Sequence, residues 1–452
     1  MSTPESRLSV AERLAALADA LQAGDDATAG ALLEDLHPAE IAGAMESLPG
    51  EDRQALWDTL PRARQSDVLA ELSAGVRGRF VADLALDDLL ALTEQLDPDD
   101  VADLVASLPD ARIEELLGGL DQHDRARLEQ MLGYPEDTAG GLMTPDAVTV
   151  RPDITVEVVL RYLRRRGEMP EATDKLIVVD RRDRFLGEVA LADLLTARPD
   201  RTVAEIMRRD TDALPVSTPA ADVAQIFTRR DLISAPVVDA QGRFLGRITI
   251  DDVVDVLRAQ ADDSFLGMAG VSSEEDLFAP VARSVRQRAV WLGVNLVTAL
   301  LAAAVIRSFS DSIEKLVALA ALMPVVASMG GNAGNQTVAL AIRALALGQV
   351  SRRNVWRLLR REAQVGALNA ALWGSAVALV AGAWFGEPGL GVVTGLAMVI
   401  NLLTAATAGF LIPVTLRRVG VDPAVASTVF LTTATDVVGF LAFLGLATLL
   451  LL

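Results

Sequence analysis

Five long apolar runs fill the last third of this chain, at about 289–306, 316–347, 363–385, 390–416 and 424–452. They limit the fold more than any other feature, because roughly 20 consecutive apolar residues are enough to cross a bilayer. The last run holds a carboxylate, in Thr432-Thr433-Ala434-Thr435-Asp436-Val437-Val438-Gly439. A charge at that depth costs about 2.5–3.5 kcal/mol on insertion scales, so the first expectation for Asp436 is an ion or proton site.

Charge divides the chain at the same place. From Ala289 onward there are ten Lys and Arg against six Asp and Glu. That is +4 in a chain of net charge −20, so the 288 residues before it carry −24. An acidic soluble part therefore precedes a membrane part. Such a surface argues against nucleic acid as a partner and favours cations. There is no Cys, so neither disulfides nor thiolate metal sites are available. With only His37 and His123, zinc or haem ligation is not expected. Ser9 to Leu21, with Glu12, Arg13 and Asp19, has an amphipathic pattern and is not the apolar core of a signal peptide.

Residues 1–132 repeat themselves. Leu36-His37-Pro38-Ala39-Glu40 runs on to Leu48-Pro49, and Leu96-Asp97-Pro98-Asp99-Asp100 to Leu108-Pro109, with Leu56 and Leu60 matched by Leu116 and Leu120. Pro and acids at each start suit short helices. Stacked helices forming a superhelix are expected, as an inert scaffold or as a regulatory lid.

Residues 133–257 hold a second duplication. Val178-Val179-Asp180 and Phe185-Leu186-Gly187 return as Val237-Val238-Asp239 and Phe244-Leu245-Gly246. Each copy reads as helix, strand, turn, strand, helix, and the pair resembles tandem CBS domains. That resemblance implies dimerisation and binding of adenine nucleotides or ions. Thr249 and Asp252 would suit a ribose in the second copy, whereas the first has Ala190 at the Thr position. The same two residues could instead cap the following helix. A connecting helix is expected over 258–282, after Asp251, Asp252 and Asp255 and carrying Asp262 and Asp263, with Glu274, Glu275 and Asp276 beyond. It would carry movement to the membrane part or serve as a plain linker.

Arginines orient the membrane part, residues 283–452. Arg283, Arg286 and Arg288 precede the first run; Arg352, Arg353, Arg357, Arg360 and Arg361 separate the second and third; Arg417 and Arg418 separate the fourth and fifth. Placing these segments inside gives five spans, a cytoplasmic soluble part and an outside C-terminus. In the second run, Gly330-Gly331-Asn332-Ala333-Gly334-Asn335-Gln336 would serve helix packing or line an aqueous path. Asn401, Thr404 and Thr407 add polar groups in the fourth. Thr428, Thr432 and Asp436, at steps of four, share one helix face in the fifth. The ligands on offer are all oxygens, the set that suits hard cations. One Asp per chain is little for a divalent ion, but a two-fold dimer presents two, and Mg²⁺ keeps most of its water. A proton site competes, although no relay of acids or His is visible.

The order of these parts resembles the MgtE family of magnesium channels. So do Gly330-Gly331-Asn332-Ala333-Gly334-Asn335-Gln336, Val421-Asp422-Pro423-Ala424 and Thr435-Asp436-Val437-Val438-Gly439. The resemblance implies a multidomain membrane protein: an all-α superhelical N domain, an α/β tandem CBS pair, a connecting helix and five transmembrane helices. It implies a homodimeric, Mg²⁺-selective pore in the cytoplasmic membrane, with Asp436 of both subunits at a hydrated ion and Thr428, Thr432, Asn332 and Gly331 along the path. Cytosolic Mg²⁺ would close it by bridging Asp231, Asp252, Asp255 and Asp263, with Asp87 or Asp88 as their partner in the N domain. Gln260 stands where some relatives have an acid, which would weaken one sensor site. The alternative is a proton- or sodium-coupled divalent cation transporter regulated by nucleotide at the CBS pair. A membrane sensor or enzyme is disfavoured, since neither His lies in the spans.

Overall fold

The computed structural model describes residues 10–452 apart from 24, 94, 97–99, 102–103, 106, 121–124, 126–127, 129–131, 171, 212, 272–277 and 279. It forms two compact units that divide between Ala259 and Gln260. The first unit begins with short helices: α1 (Val10–Ala23), α2 (Asp26–Glu34), α3 (Pro38–Glu46), α4 (Gly50–Thr59), α5 (Arg62–Ala70), α6 (Ala74–Asp83), α7 (Leu86–Thr93) and α8 (Asp110–Gly119). Capping residues keep them short. His37 accepts from the amide of Ala39 while Glu40 accepts from the amide of His37, and Pro49, Pro61 and Pro109 stand just before α4, α5 and α8. Arginines satisfy the carbonyls where earlier helices end. Arg53, only 6% exposed, donates to the carbonyls of Met45 at 2.9 Å and Leu48 at 3.1 Å. Arg64 reaches those of Leu33 and Leu36, and Arg112 that of Leu84.

One hydrophobic core runs through these helices, from Leu17 to Leu128. The internal repeat is visible in it, since Leu56 and Leu116 are both fully buried. Asp97, Pro98 and Asp99, which open the second copy, and His123 lie outside the described residues.

The second duplication forms two three-stranded sheets, β1 (Thr149–Val150), β2 (Lys175–Val179) and β3 (Phe185–Ala190), then β4 (Leu214–Pro215), β5 (Ser234–Val238) and β6 (Phe244–Thr249). Each has a short parallel strand pair followed by an antiparallel hairpin. The short β1 and β4 were not foreseen, because two residues carry too little pattern. The helices are α9 (Val156–Arg166), α10 (Leu191–Thr196), α11 (Val203–Ile206), α12 (Ala220–Arg230) and α13 (Ile250–Met268). The repeated glycine has a steric reason: a Cβ at Gly187 would collide with the carbonyl of Arg208, and one at Gly246 with that of Thr144. The hairpin tips also pair with one another, through Phe185 N–H to Gly242 O at 3.0 Å and Phe244 N–H to Asp183 O at 2.8 Å.

Each tip is built on a carboxylate. Asp180 accepts from the amides of Arg182 at 2.7 Å and Arg184 at 2.9 Å. Asp239 accepts from those of Gln241 at 2.9 Å and Arg243 at 2.8 Å. These backbone hydrogen bonds, that from Arg184 or Arg243 foremost, hold both carboxyls below the usual range.

The helix α13 starts directly after β6 and is continuous across 257/258, where the connecting helix was expected to begin. Glu274, Glu275 and Asp276 lie outside the described residues. The membrane part comprises α14 (Val281–Arg307), the short α15 (Ser310–Lys315), α16 (Ala318–Ala346), α17 (Val355–Phe385), α18 (Pro388–Arg418) and α19 (Pro423–Leu450). Among the described residues four helices, α14, α17, α18 and α19, are long and apolar enough to cross a bilayer. The helix α16 is as long but falls outside that group; Asn332, Asn335 and Gln336 lower its hydropathy. A small-residue ladder, Gly366, Ala370, Gly374, Ala378 and Gly382, joins α17 to Gly391, Gly395 and Ala406 of α18. Trp356 and Trp384, 72% and 78% exposed, mark the two ends of α17.

Two outcomes follow. Arg53→Ala should destabilise the helical N-terminal part by about 1.5–3 kcal/mol, since it removes charged hydrogen bonds from buried carbonyls; denaturation followed by Trp57 fluorescence reads this. For Asp180 and Asp239 the native pKa is the lower one, so their contribution is complete above the unfolded value of about 4 and is lost as pH falls through the native value. Hydrogen exchange at the amides of Arg184 and Arg243 should accelerate over that range, and the Asp180→Asn, Asp239→Asn variant should lack this acid dependence.

Candidate functional site

Asp436 stands near the middle of α19, which starts at a cap where Asp422 accepts from the amide of Ala424 at 2.8 Å. Two adjacent stripes run along this helix. Ser427, Leu431, Thr435 and Gly439 form a buried one. Thr428, Thr432 and Asp436 form the next, each half-buried. The hydroxyls are partly committed: Thr432 donates to Thr428 O and Val429 O at 3.1 Å, and Thr435 to Leu431 O at 3.1 Å.

The buried stripe packs on α16 and α18. A Cβ at Gly334 would lie 2.6 Å from a methyl of Leu431, and a Cβ at Gly409 would lie 2.8 Å from the carbonyl of Gly334. Gly330 and Gly439 both face the carboxamide of Asn401, which is fully buried and donates to Val326 O at 2.8 Å. The glycine-rich stretch of α16 is thus a helix contact on its Gly330 and Gly334 side. Its other side carries Asn332, Asn335 and Gln336, all exposed, with Gly331 half-buried. Asn332 Nδ2 lies 3.4 Å from Ser328 Oγ.

Sequence reasoning grouped Asn401 with Thr404 and Thr407 as general polar lining. The structure separates them: both threonines bond carbonyls of their own helix, Thr404 to Ile400 O and Thr407 to Leu403 O. Asn401 instead joins three helices. An amide in the centre of a 31-residue apolar helix was the available signal.

The acidic candidates of the soluble part occupy separate settings. Asp231 is the left-handed residue that ends α12, with φ 51°, a conformation Asp tolerates better than most residues. Asp88 is exposed in α7, 3.4 Å from Arg62, and Asp87 is exposed beside it. Asp252 accepts from Thr249 N–H at 3.2 Å and Thr249 Oγ1 at 3.0 Å, which caps α13. Asp255 and Asp263 are exposed further along that helix, with Gln260 half-buried between them. Among the described residues no three His, Asp or Glu come together as a metal cluster.

Beyond Asp263, Gly267 is buried: a Cβ there would lie 3.3 Å from Ala424 Cβ and 3.2 Å from a methyl of Val425. The end of α13 therefore rests on the first turn of α19.

Family models match three regions: a divalent cation transporter model over 323–446, the MgtE intracellular N domain over 36–137, and CBS domains over 139–200 and 203–259. A magnesium transporter MgtE of Thermus thermophilus is 36% identical over 97% of this chain and 99% of its own length. The chain belongs to the MgtE family. Another MgtE, from Bacillus subtilis, is 26% identical over 92% of each chain. The crystal structure of the cytosolic domain of the Mg²⁺ channel MgtE in complex with ATP shares 37% identity and a TM-score of 0.50, covering 54% of this chain and 99% of that one. As an MgtE family member this is a multidomain, multi-pass membrane protein with a CBS pair.

The α16–α19 contact makes an expected outcome. Gly334→Val would drive methyls into Leu431 and cost about 1–3 kcal/mol as overpacking. Thermal unfolding of the detergent-solubilised chain should show the drop, and Leu431→Ala in the same chain should recover part of it.

Proposed function

We propose that this chain carries Mg²⁺ across the cytoplasmic membrane as a homodimeric, channel-like pore closed by cytosolic Mg²⁺. The observation that carries the reading is Asp436: a half-buried carboxylate at membrane depth, in line with Thr428 and Thr432, beside a closely packed helix seam. Carboxylates are kept at such depth for ion or proton pathways. Two copies across a two-fold axis would put two carboxylates at one hydrated Mg²⁺, which needs few protein ligands because it holds its water tightly. Asn332 and Gly331 would line the same path.

The helix α16 would be the fifth span. At 1.5 Å per residue its 29 residues extend about 44 Å, and its polar side would face protein and water. Trp356 and Trp384 lie about 42 Å apart along α17 on the same rise, which suits anchors at the two interfaces. With the arginine-rich segments inside, the soluble part would be cytoplasmic and the C-terminus outside.

The gate would work by population shift. In this reading the acids Asp88, Asp231, Asp252, Asp255 and Asp263 would disfavour the closed state by their charge until Mg²⁺ bridges them. The end of α13, through Gly267, would pass that change to α19. ATP would bind the CBS pair at Thr249 and Asp252, in keeping with the ATP complex of the related cytosolic domain.

The decisive experiment is Mg²⁺ flux in proteoliposomes with internal Mg²⁺ varied. Flux should fall as internal Mg²⁺ rises, and Asp436→Ala should abolish it while the protein remains folded. Wild-type flux from that variant would sink the pore assignment. Flux that collapses with a proton or sodium gradient at constant potential would favour a coupled transporter.

A further inference from the structure

Asn401 lies mid-way along α18 with no exposed surface. Its Nδ2 donates to Val326 O of α16 at 2.8 Å, and its Oδ1 is buried without a hydrogen-bond donor among the described residues. Glycines flank the carboxamide on two sides. A Cβ at Gly330 would fall 2.8 Å from Asn401 Cγ, and a Cβ at Gly439 would fall 3.0 Å from the same atom. One side chain thus lies in contact range of α16 and α19 from its place on α18. Gly439 is three residues beyond Asp436, so the contact sits within one turn of that carboxylate.

Packing alone does not account for an amide here. Leu has a similar size and no polar atom to desolvate, whereas a buried acceptor left without a donor costs about 1–3 kcal/mol. What the amide adds is direction. Its bond to Val326 O fixes the plane of the carboxamide, and that plane determines how near Gly330 and Gly439 can approach.

We propose that Asn401 is a positioning residue for cation selection, whose carboxamide between Gly330 and Gly439 fixes where Asp436 stands. The proposal rests on reading Asp436 as the carboxylate of the cation path. A shift of α19 moves that carboxylate, and a two-fold pair doubles the change in spacing between carboxylates. A site that distinguishes hydrated Mg²⁺ from the larger Ca²⁺ by spacing is sensitive to such a shift.

The test uses full-length protein in proteoliposomes and reads the half-saturating Mg²⁺ concentration, the Mg²⁺ to Ca²⁺ flux ratio and the thermal unfolding midpoint. Asn401→Ala removes the wedge, and Gly439→Ala crowds it. Each alone should shift the half-saturating concentration or the flux ratio roughly tenfold, the scale of effect expected from a sub-ångström to ångström misplacement. The double variant makes room for the added methyl but still lacks the amide, so its unfolding midpoint should recover towards wild type while its flux ratio stays shifted. Asn401→Leu, which keeps the volume without the amide, should retain the selectivity defect even where its unfolding midpoint matches wild type. A wild-type flux ratio in the double variant or in Asn401→Leu overturns the proposal. Asp436→Ala separates the two levels: if it conducts like wild type, the reading of Asp436 fails and the proposal with it. If it is silent while Asn401→Leu keeps the wild-type flux ratio, only the role of Asn401 fails.

Discussion

Polar groups at membrane depth have no water to bond, so they must find partners on neighbouring helices. In this chain the threonines bond carbonyls of their own helices, and close backbone approach serves the Nδ2 of Asn401. Gly330, Gly334, Gly409 and Gly439 let α16, α18 and α19 come near enough for one carboxamide to reach a main-chain carbonyl. The stripe bearing Asp436 is the neighbour of this seam and inherits its position from it. Larger residues at those glycines would separate the helices and leave Asn401 without its one bond.

Much of this was legible in the sequence. Both duplications survive in the fold: Leu56 and its match Leu116 are both fully buried in the helical part, and the two sheets carry the same hairpin built on Asp180 or Asp239. Four of the five apolar runs became helices long and apolar enough to cross a bilayer, because length and hydropathy suffice to define them. Other features depend on tertiary contacts that a sequence does not carry. Asn401 read as one polar group among several until Gly330 and Gly439 were seen on either side of it. Thr249 and Asp252 suit either a ribose or a cap by residue type, and only the fold shows that they bond each other at the start of α13. Asp231 read only as an acid, although its backbone also ends a helix. The helix α16 is ambiguous by hydropathy for the same reason that it is interesting, since its amides lie on the side away from the packed glycines.

The soluble acids differ from Asp436 in setting. Asp88, Asp231, Asp255 and Asp263 are exposed. In water two charges at 4 Å interact by about 1 kcal/mol, and by about 4 kcal/mol near a protein surface. Exposed carboxylates are also screened by salt, so a firm response would need several bridges acting together. Asp436 pays the larger desolvation cost and would act with fewer ligands.

The ladder from Gly366 to Gly382 binds α17 to α18 along most of their length, and α17 carries a tryptophan near each end. Indoles prefer the headgroup layer, so the pair would be held to two surfaces whose separation the lipid sets. In a thinner bilayer α17 relieves the mismatch by tilting, and α18 must lean with it. Acyl-chain length would then enter the geometry at Asn401, which would make the membrane a mechanical component of the transporter as well as its solvent.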